Sequence, residues 1–297
     1  MTTATTATTP TSASARTERV RHVQGFAYRM RHHILDMGEV QGQGYVGQAL
    51  GASEMFAAVY ADQLSFRAAD PDWAGRDRFL LSTGHYAIGH YAALAEAGII
   101  PLAELETYGS DDSRLPMSGM ATYTPGMEIS GGSLGHGLGV AVGTALGLRH
   151  QGSNARVINF MSDGELDEGS TWEAAMGAHH HGLDNLTVLV DVNALQADGK
   201  TDTVLRTEPV ADKWAASCWF TQRVDGNDAD ALLAAFHAAA DPGQRQGRPA
   251  VILCDTRIGR GVPMLETREK AHFMRIEEHE WQLCRDQLAA GNEGLNR

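Results

Sequence analysis

A chain of 297 residues allows one large domain or two modest ones, and it is long enough to bury a substantial core. Its net charge of −13 argues against a nucleic-acid binder, which normally presents a basic face. Cys218, Cys254 and Cys284 form no Cys-x-x-Cys pair, so neither a disulfide framework nor a zinc site is indicated and a reducing cytoplasm fits. No apolar run approaches the roughly 18 to 20 residues that a membrane helix needs.

The opening MTTATTATTPTSASAR is mostly Thr, Ala and Ser with little apolar surface to bury. A disordered tail is expected over residues 1–17, with one α/β domain over 18–297. The segment lacks acids, as transit peptides do, but it carries a single Arg and no amphipathic period.

From Arg19 to Met37, Val20, Val23, Phe26, Met30 and Ile34 recur at spacings of three and four, which predicts an amphipathic helix over a sheet face. A Gly-rich loop and a second helix follow. Arg78 to Leu81 reads as a short strand that ends in Ser82-Thr83-Gly84-His85 and turns into a helix reaching about Ala97. His85 therefore stands at a strand end, where side chains face ligands, whereas His90 is placed as a packed or surface residue. The stretch TPGMEISGGSLGHGLGVAVGTALGLRHQG carries glycines at 135, 137, 139, 143 and 147. Each costs about 1 kcal/mol in an isolated helix, so a close backbone neighbour is expected, as at a tight subunit interface.

Two apolar runs, Val157 to Met161 and Leu186 to Val192, end at Asp163 and Asn193 and flank a helix over roughly 171–181 with Ser170 as its N-cap and Glu173 three residues on. In a parallel sheet that strand-helix-strand unit brings Asp163 and Asn193 side by side at the carboxyl rim. A carboxylate, an amide oxygen and a nearby carbonyl are hard ligands suited to Mg²⁺ or Ca²⁺, with phosphate oxygens completing the shell. His179, His180 and His181 are different: successive helical residues point about 100° apart and cannot converge on one ion. They are expected at an exposed helix end, and Trp172 and Trp214 in the core or an interface. A strand from Trp219, a turn and cap over 225–228, a helix through Ala240, a strand over 250–254 and a last helix over 277–290 complete the chain.

The spacing from Asp163 to Asn193 resembles the thiamine diphosphate signature, Gly-Asp-Gly followed after about thirty residues by Asn. More closely, Ser162-Asp163-Gly164, Glu168-Gly169 and Asp191-x-Asn193 resemble transketolase, with Ser162 where that family has Gly. The resemblance implies that Asp163, Asn193 and the carbonyl of Leu195 hold the metal and that Gly164 lets a diphosphate oxygen approach. Asp77-Arg78-Phe79-x-Leu81-Ser82-x-Gly84-His85 and Gly126-x-Glu128 with the Ser133-Leu134-Gly135-x-Gly137 run are similar to further transketolase segments. By that match His85 lies between diphosphate and substrate, and Gly132 and Leu134 touch the aminopyrimidine. His272 corresponds to a family His that faces the diphosphate, although Phe273 follows it where the family has Gly. Tyr45 and Ser118 stand where transketolases carry substrate histidines; Tyr45 either packs under its loop or contacts substrate.

Similarity covers about residues 25–275. It implies the diphosphate-binding fold of transketolase, a mainly parallel sheet with helices on both faces, which the alternating strand and helix signals support independently. It also implies a two-gene, split enzyme that moves a two-carbon ketol unit from a ketose donor to an aldehyde. A C-terminal subunit with the pyrimidine-binding domain would supply the activating Glu, in an α2β2 assembly, with His85 and His272 as catalytic residues. Glu168 matches a Glu at the contact between cofactor sites and is not assigned as the acid. The α subunit of a 2-oxo acid dehydrogenase or decarboxylase is the nearest alternative in chemistry, and a non-catalytic scaffold subunit is the alternative from another class.

Overall fold

A computed structural model describes residues 13–269 and 271–292. Five parallel strands form the central sheet: β1 (Arg78–Leu81), β2 (Val157–Ser162), β3 (Leu186–Val192), β4 (Phe220–Asp225) and β5 (Ala250–Asp255), in spatial order β1-β2-β3-β5-β4. The mostly apolar sequences of the central strands follow from burial on both faces, since β2 is buried along its whole length and β3 along all but its last residue, whereas the edge strand β4 is polar and half-exposed.

Alternation along the strands sorts side chains into two cores. Phe79, Leu81, Ile158, Phe160, Leu189 and Ile252 point one way. They meet α1 (Ala13–Gln41), α2 (Val46–Gly51), α3 (Ser53–Ala58), α4 (Ala87–Glu96) and, farther along the chain, Ala229–Ala240. Leu80, Val157, Met161, Val188, Val190 and Leu253 point the other way, onto α5 (Gly137–His150), α6 (Gly169–His180) and α7 (Val210–Ala216). The helix Ala229–Ala240 is α8, capped by Asp228, whose carboxylate accepts from the backbone N–H groups of Asp230 and Ala231. The last helix, α9, is Glu280–Ala290.

Three expectations need correction. The first helix begins at Ala13, not Arg19, so residues 13–17 are helical; Arg16 pairs with Asp230 on α8 and thereby gives the polar segment a partner. The rest of the expected tail, 1–12, lies outside the described residues. Ser170 does not cap α6: Glu168 is the N-cap, and the Ser170 hydroxyl instead donates to the Gly135 carbonyl at 3.0 Å. The capping box lies one turn earlier, between Ser162 and Glu165. Of the glycines around α5, Gly135 and Gly137 already face close neighbours within this chain, so only the others are left for an outside partner.

His90 is packed, fully buried with its Nε2 2.5 Å from the Tyr60 hydroxyl, and burial lowers its pKa to about 3. His179 to His181 are exposed at the end of α6. Trp172 and Trp214 pack 5.4 Å apart in the second core. Among the described residues no helix is long and apolar enough to cross a membrane.

Candidate functional site

Register places the two candidate ligands together. Ser162 of β2 pairs with Asp191 of β3, so Asp163 and Asn193 both begin the loops beyond adjacent strand ends. The β3 loop turns back through Ala194, whose φ of +61° is left-handed for a residue with a side chain. That geometry costs roughly 1–2 kcal/mol, and strain of this kind concentrates at functional sites. Here it aims the Ala194 N–H at Asp163 Oδ2, 2.9 Å away.

The Asn193 amide is oriented by groups the strand positions alone do not reveal. Its Nδ2 donates to Asp191 Oδ2 at 2.7 Å and to the Tyr86 hydroxyl at 2.9 Å, while Tyr86 itself donates to Asp191 at 2.5 Å. Thr256 donates to the other Asp191 oxygen. A carboxylate accepts and cannot donate, so the amide nitrogen must face Asp191 and the amide oxygen turns into the loop, where it accepts from Leu195 N at 3.0 Å. Tyr86 and Thr256 thus join the candidate site, though no role is read for them from the sequence; the first adjoins His85 and the second follows β5.

Asp163 is 3% exposed and its hydrogen-bond partners are backbone N–H groups of Ala194 and Gly164. Burial and the neighbouring Asp191 charge push its carboxyl up to about 7. Two buried carboxylates held by neutral donors form a hard-oxygen environment that a divalent cation would balance, and the oxygens of Asp163 and Asn193 fit such an ion. A Cβ on Gly164 would meet nothing nearer than 3.8 Å, so no packing within the chain requires glycine there and the space is open to a ligand oxygen.

A second anchor is Glu165, fully buried. It accepts from the Ser82 hydroxyl, from Gly135 N at 2.9 Å and from Ser162 N at 3.1 Å, tying three loops together. Ser82 in turn accepts from Gly137 N at 3.0 Å, and a Cβ on Gly137 would come within 2.1 Å of that hydroxyl. The turn carrying Gly132 and Leu134 is held on one side by this network. On its other side Gly131 crosses Gly84 so closely that a Cβ on Gly84 would lie 2.5 Å from the Gly131 carbonyl carbon. Gly132, Leu134 and His85 are thus brought to one rim. The Ser162-x-x-Glu165 pattern was the signal that could have found Glu165.

His85, His272 and Tyr45 also converge. The Tyr45 ring centroid is 4.8 Å from that of His85 and 5.7 Å from that of His272, and the two imidazoles are 5.5 Å apart. Residues 271–273 reach them because Gln48 Nε2 of α2 donates to the His272 carbonyl at 2.5 Å and Gly259 N donates to Gly47 O at 2.8 Å. Burial lowers the His85 pKa to about 4, aided by His272, and burial also lowers that of His272, so both rings are neutral near pH 7. Thr83 Oγ1, Gln48 Oε1 and His272 Nδ1 are buried without hydrogen-bond partners, three polar atoms around one rim. Ser118 lies over this corner, its hydroxyl the nearest side-chain atom to both Gly84 and Gly132. The cleft containing Asp163 and Asn193 encloses about 690 Å³. A larger hollow of about 910 Å³ along α1 is far from the strand ends.

A family model described as the thiamine diphosphate binding domain of transketolase matches residues 24–294. A transketolase family protein, y4mO, of Sinorhizobium fredii is 60% identical over 255 residues, covering 86% of this chain and 91% of that protein. The 6-deoxy-6-sulfo-D-fructose transketolase subunit SqwG of a Clostridium species is 37% identical, with 81% of this chain and 86% of that one covered. An apulose-4-phosphate transketolase subunit of Actinobacillus succinogenes is 36% identical, over 88% and 93%. Among solved structures, a point mutant of transketolase from Pichia stipitis superposes with a TM-score of 0.83 at 26% identity, covering 90% of this chain and 40% of that one. Transketolase from Campylobacter jejuni gives 0.83 at 25% identity, over 91% and 43%. The chain therefore spans about two fifths of the solved transketolases that it matches.

Proposed function

We propose that this chain, which belongs to the transketolase family as its thiamine diphosphate-binding domain, is the metal- and diphosphate-binding subunit of a split transketolase-type transferase. The reaction would be transfer of a two-carbon ketol unit from a ketose donor to an aldehyde acceptor. The observation that carries this reading is the Asp163–Asn193 pair at neighbouring strand ends, with the amide oxygen turned inward by Asp191 and Tyr86.

Asp163 Oδ, Asn193 Oδ1 and the Leu195 carbonyl would hold a divalent cation, with Mg²⁺ favoured over Ca²⁺ because Mg²⁺ is commonly held by one or two carboxylates together with phosphates. Gly164 would admit a diphosphate oxygen to the backbone, and Gly132 and Leu134 would present main-chain groups to the aminopyrimidine. When bound, thiamine diphosphate supplies the electron sink for carbon–carbon bond cleavage. His85 and His272, neutral and partly buried, would orient the substrate carbonyl and relay protons.

The activating Glu is assigned to a separate C-terminal subunit carrying the pyrimidine-binding domain, in an α2β2 assembly. Two relatives are by name transketolase subunits, and α5 and α6 supply a face for such an assembly. Gly139, Gly143, Gly147 and Gly177 would place a Cβ in open space, and Val140 and Met176 are 45% and 61% exposed beside them. Small residues of this kind allow close approach of another backbone.

Calorimetry of thiamine diphosphate and Mg²⁺ tests the reading on the chain co-expressed with its neighbouring gene product, with Asp163→Ala as control. Tight binding that requires Mg²⁺ and is lost in Asp163→Ala is expected. Absence of binding in the complex refutes the cofactor assignment and leaves the scaffold reading.

A further inference from the structure

Beside the Asp163–Asn193 cleft a second cavity of about 530 Å³ opens, walled by Tyr45, His272, Phe273, Ala197, Asp198 and Glu269. Leu195, Glu269 and Ala271 line both, so the two hollows adjoin. Tyr45 is the hub of the wall: its ring packs edge-on against Phe273 at 5.1 Å and against His272 at 5.7 Å. Phe273 is 43% exposed, an aromatic ring at the mouth rather than in a core.

Charge points the same way. Among the described residues lining this cavity there are two carboxylates, Asp198 and Glu269, and no lysine or arginine; the adjoining cleft holds Lys200 and three arginines, Arg223, Arg257 and Arg268, which are ion-paired with Asp255, Glu266 and Glu280. A phosphate ester carries nearly two negative charges and is recognised by Arg or Lys clamps, whereas these carboxylates repel it. The aromatic wall offers the opposite attraction, apolar area and ring edges for edge-to-face contact.

We propose that Tyr45 and Phe273 are specificity-determining residues that fit this cavity to an uncharged aldehyde bearing an aryl or alkyl group, in preference to a sugar phosphate. The proposal deepens the transferase reading and rests on it. An aromatic partner in such a wall contributes up to about ten-fold in binding.

The test uses the assembled enzyme, this chain with its C-terminal subunit, thiamine diphosphate and Mg²⁺. Hydroxypyruvate serves as donor: its C1–C2 bond breaks, CO2 leaves, C2 bonds to the aldehyde carbon, and the aldehyde oxygen takes a proton. The expected kcat/KM for benzaldehyde and butanal exceeds that for glyceraldehyde 3-phosphate by about ten-fold. Phe273→Ala and Tyr45→His should each shrink that ratio, chiefly through the KM of the aryl substrate. Saturation-transfer NMR with benzyl alcohol and glycerol 3-phosphate gives a readout independent of turnover. Saturation of benzyl alcohol that weakens in Phe273→Ala supports the proposal. A preference for the phosphorylated compound in either assay, or ratios unmoved by both variants, overturns it. If no aldehyde is turned over, the transferase reading fails, and the NMR comparison still decides what the cavity prefers.

Discussion

Asn193 Nδ2 donates to Asp191 Oδ2 at 2.7 Å, and this bond decides which end of the amide is available to a ligand. Asp191 is buried and held by Tyr86 and Thr256, so the orientation is supported by side chains from three separate loops and strands. A ligand oxygen set by such supporting partners typically loses 10- to 100-fold in metal affinity when they are removed.

Tyr86→Phe deletes one donor to Asp191 and one acceptor for Asn193. Mg²⁺ affinity in the assembled protein is expected to fall about 10- to 100-fold, measured by Mg²⁺ titration at saturating thiamine diphosphate. Unchanged affinity would mean that the amide needs no such support.

Glu165→Gln replaces an acceptor of three hydrogen bonds by an amide whose nitrogen must face at least one donor. A buried group left mismatched costs roughly 1–3 kcal/mol, which urea unfolding should show. The turn holding Gly132 and Leu134 loses its anchor at Gly135, so thiamine diphosphate affinity should fall as well. A variant of wild-type stability would show that these three hydrogen bonds do not hold the loops together.

Gly137→Ala and Gly139→Ala should have opposite effects. An added methyl at 137 meets Ser82 atoms at 2.1–2.7 Å, whereas at 139 it meets nothing within 4 Å. The first should lower Tm; the second should stabilise the separate chain by about 0.5–1 kcal/mol through helix propensity. If α5 docks against another subunit, Gly139→Ala should also weaken assembly in sedimentation velocity. Assembly unaffected by Gly139→Ala and by the same change at Gly143 would remove α5 from the interface.

His90 has a folded pKa of about 3, below its unfolded value of about 6.5. Its neutral form is therefore the one the fold favours: its contribution is fully present above pH 6.5 and is lost as pH falls toward 3. Each unit costs about 1.4 kcal/mol. The stability difference between wild type and His90→Gln should shrink by about 2 kcal/mol between pH 7.5 and pH 5.0 in urea unfolding. An equal difference at both values would contradict a buried neutral imidazole.

Much of the fold was legible because periodicity records burial. Val157–Ser162 and Leu186–Val192 are mostly apolar since both faces are covered, and α1 shows its seam at Val23, Phe26, Met30 and Ile34. Asp163, Asn193 and His85 were legible because parallel strands deliver their carboxyl ends to one rim, so position in the chain implies position in space. Only the tertiary structure decided the orientation of Asn193 and the partners of Glu165. It also decided the packing of Tyr45 among His85, His272 and Phe273. The Asn193–Asp191 bond spans only two residues, but Tyr86 with Asn193, Glu165 with Gly135, and Tyr45 with its three rings join residues 30 to more than 200 positions apart in sequence. Local propensity carries no term for such separations; they exist once burial of the two cores has brought the loops together.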